Sequence, residues 1–103
     1  MISVPVAQRE FAETGIPGVR VCVCWKADHH VAYLTEFKAG ARFPDHGHHG
    51  SERSMLLAGR LQLGSLDMLP GDFMEIGAGE SHAAHALEDS VLYTQSLAAD
   101  LEG

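Results

Sequence analysis

Four potential metal-ligating side chains fall in two separate parts of the chain. His46, His48 and Glu52 lie close together, whereas His82 follows much later in the sequence. Because side chains alternate between the two faces of a strand, His46 and His48 share one face, and Glu52 can rejoin them after a turn at Gly50. His82 can join them only from another strand, which requires a rolled or barrel-like sheet. The spacing therefore predicts an all-β barrel that assembles one metal site.

The types of these side chains indicate which metals are suitable. Imidazole and carboxylate ligands favour iron, manganese, nickel, copper or zinc over calcium or magnesium. Three neutral imidazoles and one carboxylate leave one or two positions open on a five- or six-coordinate ion. Water, dioxygen or an oxygen atom of a small molecule can bind at an open position. We therefore expect one divalent transition metal and a small-molecule ligand.

The spacing of the first cluster matches a known motif. Gly40, five residues, His46, one residue, His48, three residues, Glu52, six residues and Gly59 reproduce the pattern G-x5-H-x-H-x3-E-x6-G without a mismatch. This is the first motif of the cupin superfamily, which the chain resembles over about residues 20–97.

The second cupin motif, G-x5-P-x-G-x2-H-x3-N, resembles residues 71–86. Gly77 stands in place of the proline and Ala86 in place of the asparagine, while His82 is retained. The missing proline restores an N–H group and a free φ angle, which loosens one turn without removing a ligand. The resemblance implies a double-stranded β-helix or jelly-roll barrel of the RmlC-like kind, with a metal held by His46, His48, Glu52 and His82.

The resemblance implies two main functions. The run H-x-H-x-x-S-E-x-x-x-L-L-x-G is similar to the zinc-binding cupin domain of bacterial anti-sigma factors and to small single-domain dioxygenases. One hypothesis is a dioxygenase-type oxidoreductase with iron(II), and the other is a non-catalytic zinc-binding sensor or ligand-binding domain. No segment resembles the sigma-binding domain of such regulators, which favours a stand-alone enzyme or binding protein. A metal-independent epimerase or isomerase is disfavoured because the ligands are intact.

Short segments with alternating, β-branched or aromatic content predict eight strands separated by turn residues. The whole chain, 1–103, is expected to form one domain, with an N-terminal arm at 1–19 and the barrel at about 20–97. Residues 8–13 are expected to form a helical turn or an edge arm, and residues 98–103 a frayed end. The predicted strands are 20–25, 30–38, 42–46, 52–58, 60–66, 72–76, 81–86 and 91–97.

The charge and apolar content of the chain limit the kinds of partner that it can bind. Of 103 residues, 7 are Lys or Arg and 14 are Asp or Glu, so the formal net charge is −7. This charge disfavours binding to nucleic acid or to anionic membranes. No apolar run is long enough to span a bilayer and no signal peptide is evident, which predicts a cytoplasmic protein. A small barrel with apolar residues on both faces of 54–58 is expected to form a homodimer.

Two further pairs of residues are candidates for ligation. His49 and His85 have the opposite parity to His48 and His82, so a regular strand turns them away from the site unless a bulge intervenes. Cys22 and Cys24 are interpreted as a free, buried pair, because their spacing is poor for a disulfide and no second cysteine pair exists.

No general acid or base can be named from the sequence, and the catalytic residues stay unassigned. Arg42 and Pro44 share the parity of His46, so Arg42 is expected either to point into the barrel and hold an anionic group or to be solvated. Four other polar residues lie on strands that can line the site: Tyr33, Glu36, Tyr93 and Gln95.

Overall fold

The computed structural model describes residues 1–47 and 50–102, with the side chains of all of these except 45–47 and 102. A 3-10 turn (Val6–Gln8) precedes the strands, and a short helix, α1 (Ala98–Glu102), follows them. The strands are β1 (Ala12–Glu13), β2 (Val19–Ala27), β3 (His30–Phe37), β4 (Arg42–Gly47), β5 (Glu52–Ala58), β6 (Leu61–Leu63), β7 (Leu66–Met68), β8 (Phe73–Ile76), β9 (Ser81–Ala86) and β10 (Ser90–Leu97).

The strands form two antiparallel sheets. A six-stranded sheet has the order β1-β2-β3-β10-β5-β8, and a four-stranded sheet has the order β4-β9-β6-β7. Strands that are distant in sequence are neighbours in both sheets, as a jelly-roll requires. The predicted all-β jelly-roll architecture is therefore confirmed.

The predicted strand 60–66 is wrong as a single element. The structure divides it at Gly64, where Leu63 pairs with Leu66 across a tight turn, and β6 and β7 form a hairpin. Gly64 has a φ angle of 58°, a left-handed conformation that glycine adopts without steric cost. A two-residue turn thus divides this segment into two strands, although its apolar residues indicated one continuous strand.

The core lies between the inner faces of the two sheets. Leu56 from β5 and Leu61 and Met68 from the β6–β7 hairpin are fully buried. Val19 and Phe37 extend this cluster from β2 and β3. Alternate residues of β5 from Glu52 to Leu56 are buried, so one face of this part of the strand is directed inwards and the other outwards.

The prediction is correct for the N-terminal segment and wrong for the C-terminal segment. The edge-arm alternative for residues 8–13 is correct, because β1 pairs with β2 at the border of the larger sheet. The frayed end predicted at 98–103 is wrong over α1. The Ala98 amide donates to the His29 carbonyl at 2.7 Å, and Leu101 packs against Val31 and Tyr33. No helix within 1–47 or 50–102 is long and apolar enough to cross a membrane.

Candidate metal centre and its cavity

Glu52 and His82 meet at the junction of the two sheets. Glu52 begins β5 of the six-stranded sheet, and His82 lies near the start of β9 in the four-stranded sheet. Their side chains are only 7% and 11% exposed, and Glu52 Oε1 lies 3.9 Å from His82 Nε2. The packing of the two sheets therefore brings Glu52 and His82 together.

The other predicted ligands are described only in part. The backbone of His46 in β4 lies directly opposite His82 in β9. The side chain of His46, and His48 and His49 entirely, lie outside the described residues. Among the side chains that are described, no group of three or more His, Cys, Asp or Glu is assembled. The complete four-residue ligand set stays a prediction.

The two described ligands fit a divalent transition metal. Bonds from such an ion to nitrogen and carboxylate oxygen are about 2.1 Å each, so one ion can contact both atoms when they are less than about 4.2 Å apart. The observed 3.9 Å satisfies this limit and is longer than a hydrogen bond. Both ring nitrogens of His82 are shielded from solvent. A buried imidazole facing a buried carboxylate is a donor pair suited to zinc or iron.

A cavity of about 340 Å³ adjoins this pair. Its walls are mainly apolar and include Phe37 from β3, Phe43 from β4 and Leu92 from β10. The polar side chains on its surface are fewer. They belong to Thr14, Tyr33, Thr35, Glu52, His82, Thr94 and Asp100. This combination of an apolar wall and a few polar groups is typical of a small-molecule site.

Arg42 does not enter this cavity. The register between β4 and β9 shifts between Phe43 and His46, which marks a bulge or irregularity in β4. Phe43 therefore faces inwards opposite Ala84, whereas Arg42 pairs with His85 and is exposed. Of the two alternatives for Arg42, the solvated one is therefore correct, and the inward-pointing one is wrong because its parity argument assumed a regular strand.

Tyr33 is the phenol that the structure places beside the site. It is buried on β3 and lines the cavity. Burial raises the pKa of Tyr33, and the negative charge of Glu52 raises it further, although hydrogen bonding with Ser96 and Thr94 acts in the opposite direction. The phenol therefore stays protonated near neutral pH and can donate a hydrogen bond into the cavity.

The remaining polar candidates face away from the cavity. Glu36 forms an ion pair with Arg20. Tyr93 and Gln95 are exposed, because the alternate residues of β10, Leu92 and Thr94, point inwards. Of the four residues predicted to be able to line the site, only Tyr33 does so.

Cys22 and Cys24 are both free thiols, as predicted, but only Cys22 is buried. A register shift between Val23 and Trp25 places Cys24 at an irregularity of β2. Burial raises the pKa of the Cys24 thiol, and the neighbouring Cys22 raises it further. A protonated thiol is a poor metal ligand, which agrees with the interpretation that this pair lies apart from the metal centre.

Sequence reasoning missed several cavity residues, two of which come from α1. Asp100 and Leu101 reach the cavity from α1, in the segment that was predicted to be frayed. Asp100 Oδ2 accepts a hydrogen bond from the Gly50 amide at 3.1 Å. The only sequence signal for this arrangement is the apolar spacing of Ala98 and Leu101, which lie on one side of a helical turn.

Comparison with known families decides the classification. The family described as the ChrR cupin-like domain matches residues 1–99. The chain belongs to this family. The match includes both motif regions and the N-terminal arm, so the cupin resemblance suggested by the motifs is confirmed for nearly the whole chain.

Solved structures share the fold of this ChrR-like domain at low sequence identity. A chain in the Rhodobacter sphaeroides complex of SigE with the anti-sigma ChrR has a TM-score of 0.80 and 22% identity, over 89% of this chain and 50% of that one. This chain thus spans about half the length of that relative. The polyketide cyclase RemF from Streptomyces resistomycificus gives 0.83 and 18%, over 94% and 79%.

A third structure is an acetylacetone dioxygenase from Acinetobacter johnsonii, with a TM-score of 0.80 and 13% identity over 94% of this chain and 72% of that one. At such identities the likeness shows the fold alone. No curated protein matches the chain in sequence.

Proposed function

We propose that this ChrR-like cupin domain binds one divalent transition metal through His46, His48, Glu52 and His82 and holds a small oxygen-containing ligand beside it. The observation that carries this proposal is the buried pair of Glu52 and His82, 3.9 Å apart at the surface of the cavity. A divalent ion between the two groups can bind the carboxylate and the imidazole together. A metal ion at this position explains why a carboxylate and an imidazole face each other there.

A bound metal would supply a Lewis acid for a ligand oxygen, and iron would add redox chemistry. The chain's own residues would orient the ligand. The Tyr33 phenol can donate a hydrogen bond to it, and the apolar walls formed by Phe37, Phe43 and Leu92 keep bulk water away from the polar groups. Glu52 and His82 project from opposite sheets, so their separation depends on how the two sheets pack together.

A non-catalytic sensor or ligand-binding domain with zinc is one form of this function. The match of residues 1–99 to the ChrR cupin-like family supports it. Zinc has no redox chemistry, so the domain would respond to ligand or metal occupancy rather than oxidise a substrate. In this form the relevant partner is another protein or protein segment, by analogy with the anti-sigma relative.

A dioxygenase with iron(II) is the second form. The cavity of about 340 Å³ beside Glu52 and His82 supports it, because the ligand-binding side of the candidate centre is open to a substrate-sized space. One structural neighbour is a dioxygenase of a small diketone, which shows that the fold permits such chemistry.

Elemental analysis of protein purified without added metal tests the proposal, with oxygen uptake measured on the same sample. Stoichiometric zinc without oxygen uptake supports the sensor form, and iron with substrate-dependent uptake supports the dioxygenase. His82→Ala is the loss-of-site variant, and His85→Ala is its matched control on the same strand. Absence of stoichiometric metal in the wild type, including after reconstitution, would contradict the proposal.

A further inference from the structure

Acidic side chains outnumber basic ones around the cavity. Within the described part of the chain, the lining includes the carboxyl groups of Glu52 and Asp100 but no lysine or arginine. His82 and Tyr33 are the remaining ionisable groups there, and Tyr33 is neutral at pH 7. The described protein groups therefore contribute two negative charges and no permanent positive charge to the space in which a ligand would bind.

The short helix α1 holds Asp100 at the cavity. The Ala98 amide anchors α1 to the His29 carbonyl at 2.7 Å, and Leu101 packs near Tyr33. The Gly50 amide donates to Asp100 Oδ2 at 3.1 Å, which fixes the carboxylate near the start of β5. Burial is the main cause of the raised pKa of Tyr33, and the charges of Glu52 and, more weakly, Asp100 raise it further, so both charges act on the same enclosed space.

The consequence depends on the metal site of the proposed function. A divalent ion with three neutral imidazoles and the Glu52 carboxylate has a net charge of +1 (+2 − 1). The Asp100 carboxylate reduces the net charge of the loaded cavity to zero (+1 − 1). Charges interact strongly in a space with mainly apolar walls, because the effective dielectric constant there is well below that of water.

We infer that Asp100 is a specificity-determining residue, which neutralises the metal-loaded cavity and so selects uncharged oxygen ligands over anionic ones. The favoured ligand class is a small, largely apolar molecule with two adjacent oxygen atoms, such as an α-hydroxyketone. The corresponding α-hydroxy acid has the same shape but would bring a negative charge to a site with no net positive charge. The exposed position of Arg42 removes the cation that would otherwise compensate it.

Acetoin and lactate form a suitable pair of probes. They have the same shape, except that a methyl group of the ketone replaces a carboxylate oxygen. Their dissociation constants can be measured by calorimetry and by the visible absorption of cobalt-substituted protein. Asp100→Asn removes the charge and keeps an oxygen that can accept from the Gly50 amide, whereas Leu92→Val alters an apolar wall of the same cavity without a change of charge and without touching α1.

We expect Asp100→Asn to shift the lactate-to-acetoin affinity ratio toward lactate by on the order of ten-fold. Leu92→Val should change both affinities by a similar factor. A ratio that is unchanged in metal-loaded Asp100→Asn would overturn the inference and leave the metal site intact. Failure of the wild type to bind metal would instead overturn the proposed function, and the inference with it.

A second measurement covers the case in which Asp100→Asn does not fold. A neutral loaded cavity predicts that the lactate affinity of the wild type changes little between low and high ionic strength, because no net charge attracts the anion. A fall of ten-fold or more with added sodium chloride, with acetoin as the uncharged control, would show a net positive site. That result would overturn the role assigned to Asp100.

Discussion

Alternation along β9 separates two histidines that lie close in sequence. His82 faces the cavity together with Ala84, whereas His85 lies between the buried Ala84 and Ala86 and is opposite Arg42. We expect His82→Ala to lose stoichiometric metal, because the shell would then lack one imidazole, and His85→Ala to retain it. Metal analysis after dialysis provides the measurement. Equal retention of metal by the two variants would contradict the assignment of His82 as a ligand.

Two motif glycines differ in how much space surrounds them. Gly40 and Gly59 both have φ angles near 90°, which other residues adopt only with strain. A Cβ atom at Gly59 would overlap the Asp89 carbonyl oxygen and the buried Ser90, whereas one at Gly40 would meet nothing within 4 Å. Ser90 cannot easily move, because its hydroxyl donates to the Glu88 carbonyl at 2.8 Å.

This difference predicts unequal stability losses. Gly59→Ala should lower the free energy of unfolding by about 3 kcal/mol or more, since backbone strain and steric overlap add. Gly40→Ala should lower it by about 1 kcal/mol, since only the backbone strain applies. Urea denaturation of both variants under identical conditions checks the ranking. Similar losses for the two variants would show that overlap at Gly59 is relieved by movement of its neighbours.

At the scale of elements, α1 connects the end of the chain to the cavity. Leu101 is partly buried against Tyr33, and Asp100 accepts from the Gly50 amide. Leu101→Ala should lower the free energy of unfolding by about 1 to 2 kcal/mol, because a partly buried leucine loses only part of the full cost of truncation. Leu66→Ala, at an exposed leucine of β7, is the control and should lose about 0.5 kcal/mol. Denaturation midpoints that reverse this order would show that α1 does not dock.

Sequence periodicity predicted elements well where strands are regular. The β9 strand was predicted with the observed bounds, and the inward residues of β10 follow simple alternation. The same reasoning failed in β4, where a register shift after Phe43 invalidates the parity argument that would have placed Arg42 inside the barrel with His46. A bulge depends on the partner strand, which the local sequence does not reveal.

The candidate site was predictable to the extent that it depends on motif spacing. Glu52 and His82 were identified from residue type and parity, and the structure brings them together. Asp100 and Leu101 were missed because a helix of five residues is too short to show periodicity and is stabilised by tertiary contacts. The excess of carboxyl groups over basic groups around the cavity could therefore be recognised only from the three-dimensional structure.

At the scale of the whole molecule, metal binding should couple stability to pH. Imidazoles bind metal only when neutral, and a free imidazole has a pKa of about 6.5. Bound metal depresses the apparent pKa of its ligands, so its stabilising effect is present at neutral pH and is lost as pH falls toward about 5. A titration that follows bound metal and melting temperature together tests this. Constant occupancy from about pH 7.5 to about pH 4 would exclude imidazole coordination as the basis of the site.

The outer face of the six-stranded sheet carries a continuous apolar row. Tyr93 lies opposite Leu34 on one side and Met55 on the other, and Met55 lies opposite Phe73. Phe73 is 60% exposed, and Leu57 of β5 adds a further exposed side chain. With Trp25 of β2, the exposed parts of these side chains amount to roughly 400 Å². This is close to the apolar share of one partner's half of a standard interface, about 450 Å².

We therefore expect this face to bind a second copy of the chain. Light scattering at tens of micromolar, an ordinary range for interfaces of moderate affinity, should give the mass of a dimer. Phe73→Lys should give a monomer, because a charge at the most exposed side chain of the row would be buried in the interface without a partner. Leu66→Lys places the same charge on an exposed leucine of the other sheet and should leave the dimer intact. A wild-type monomer, or equal dissociation by both variants, would contradict the assignment of this face as the interface.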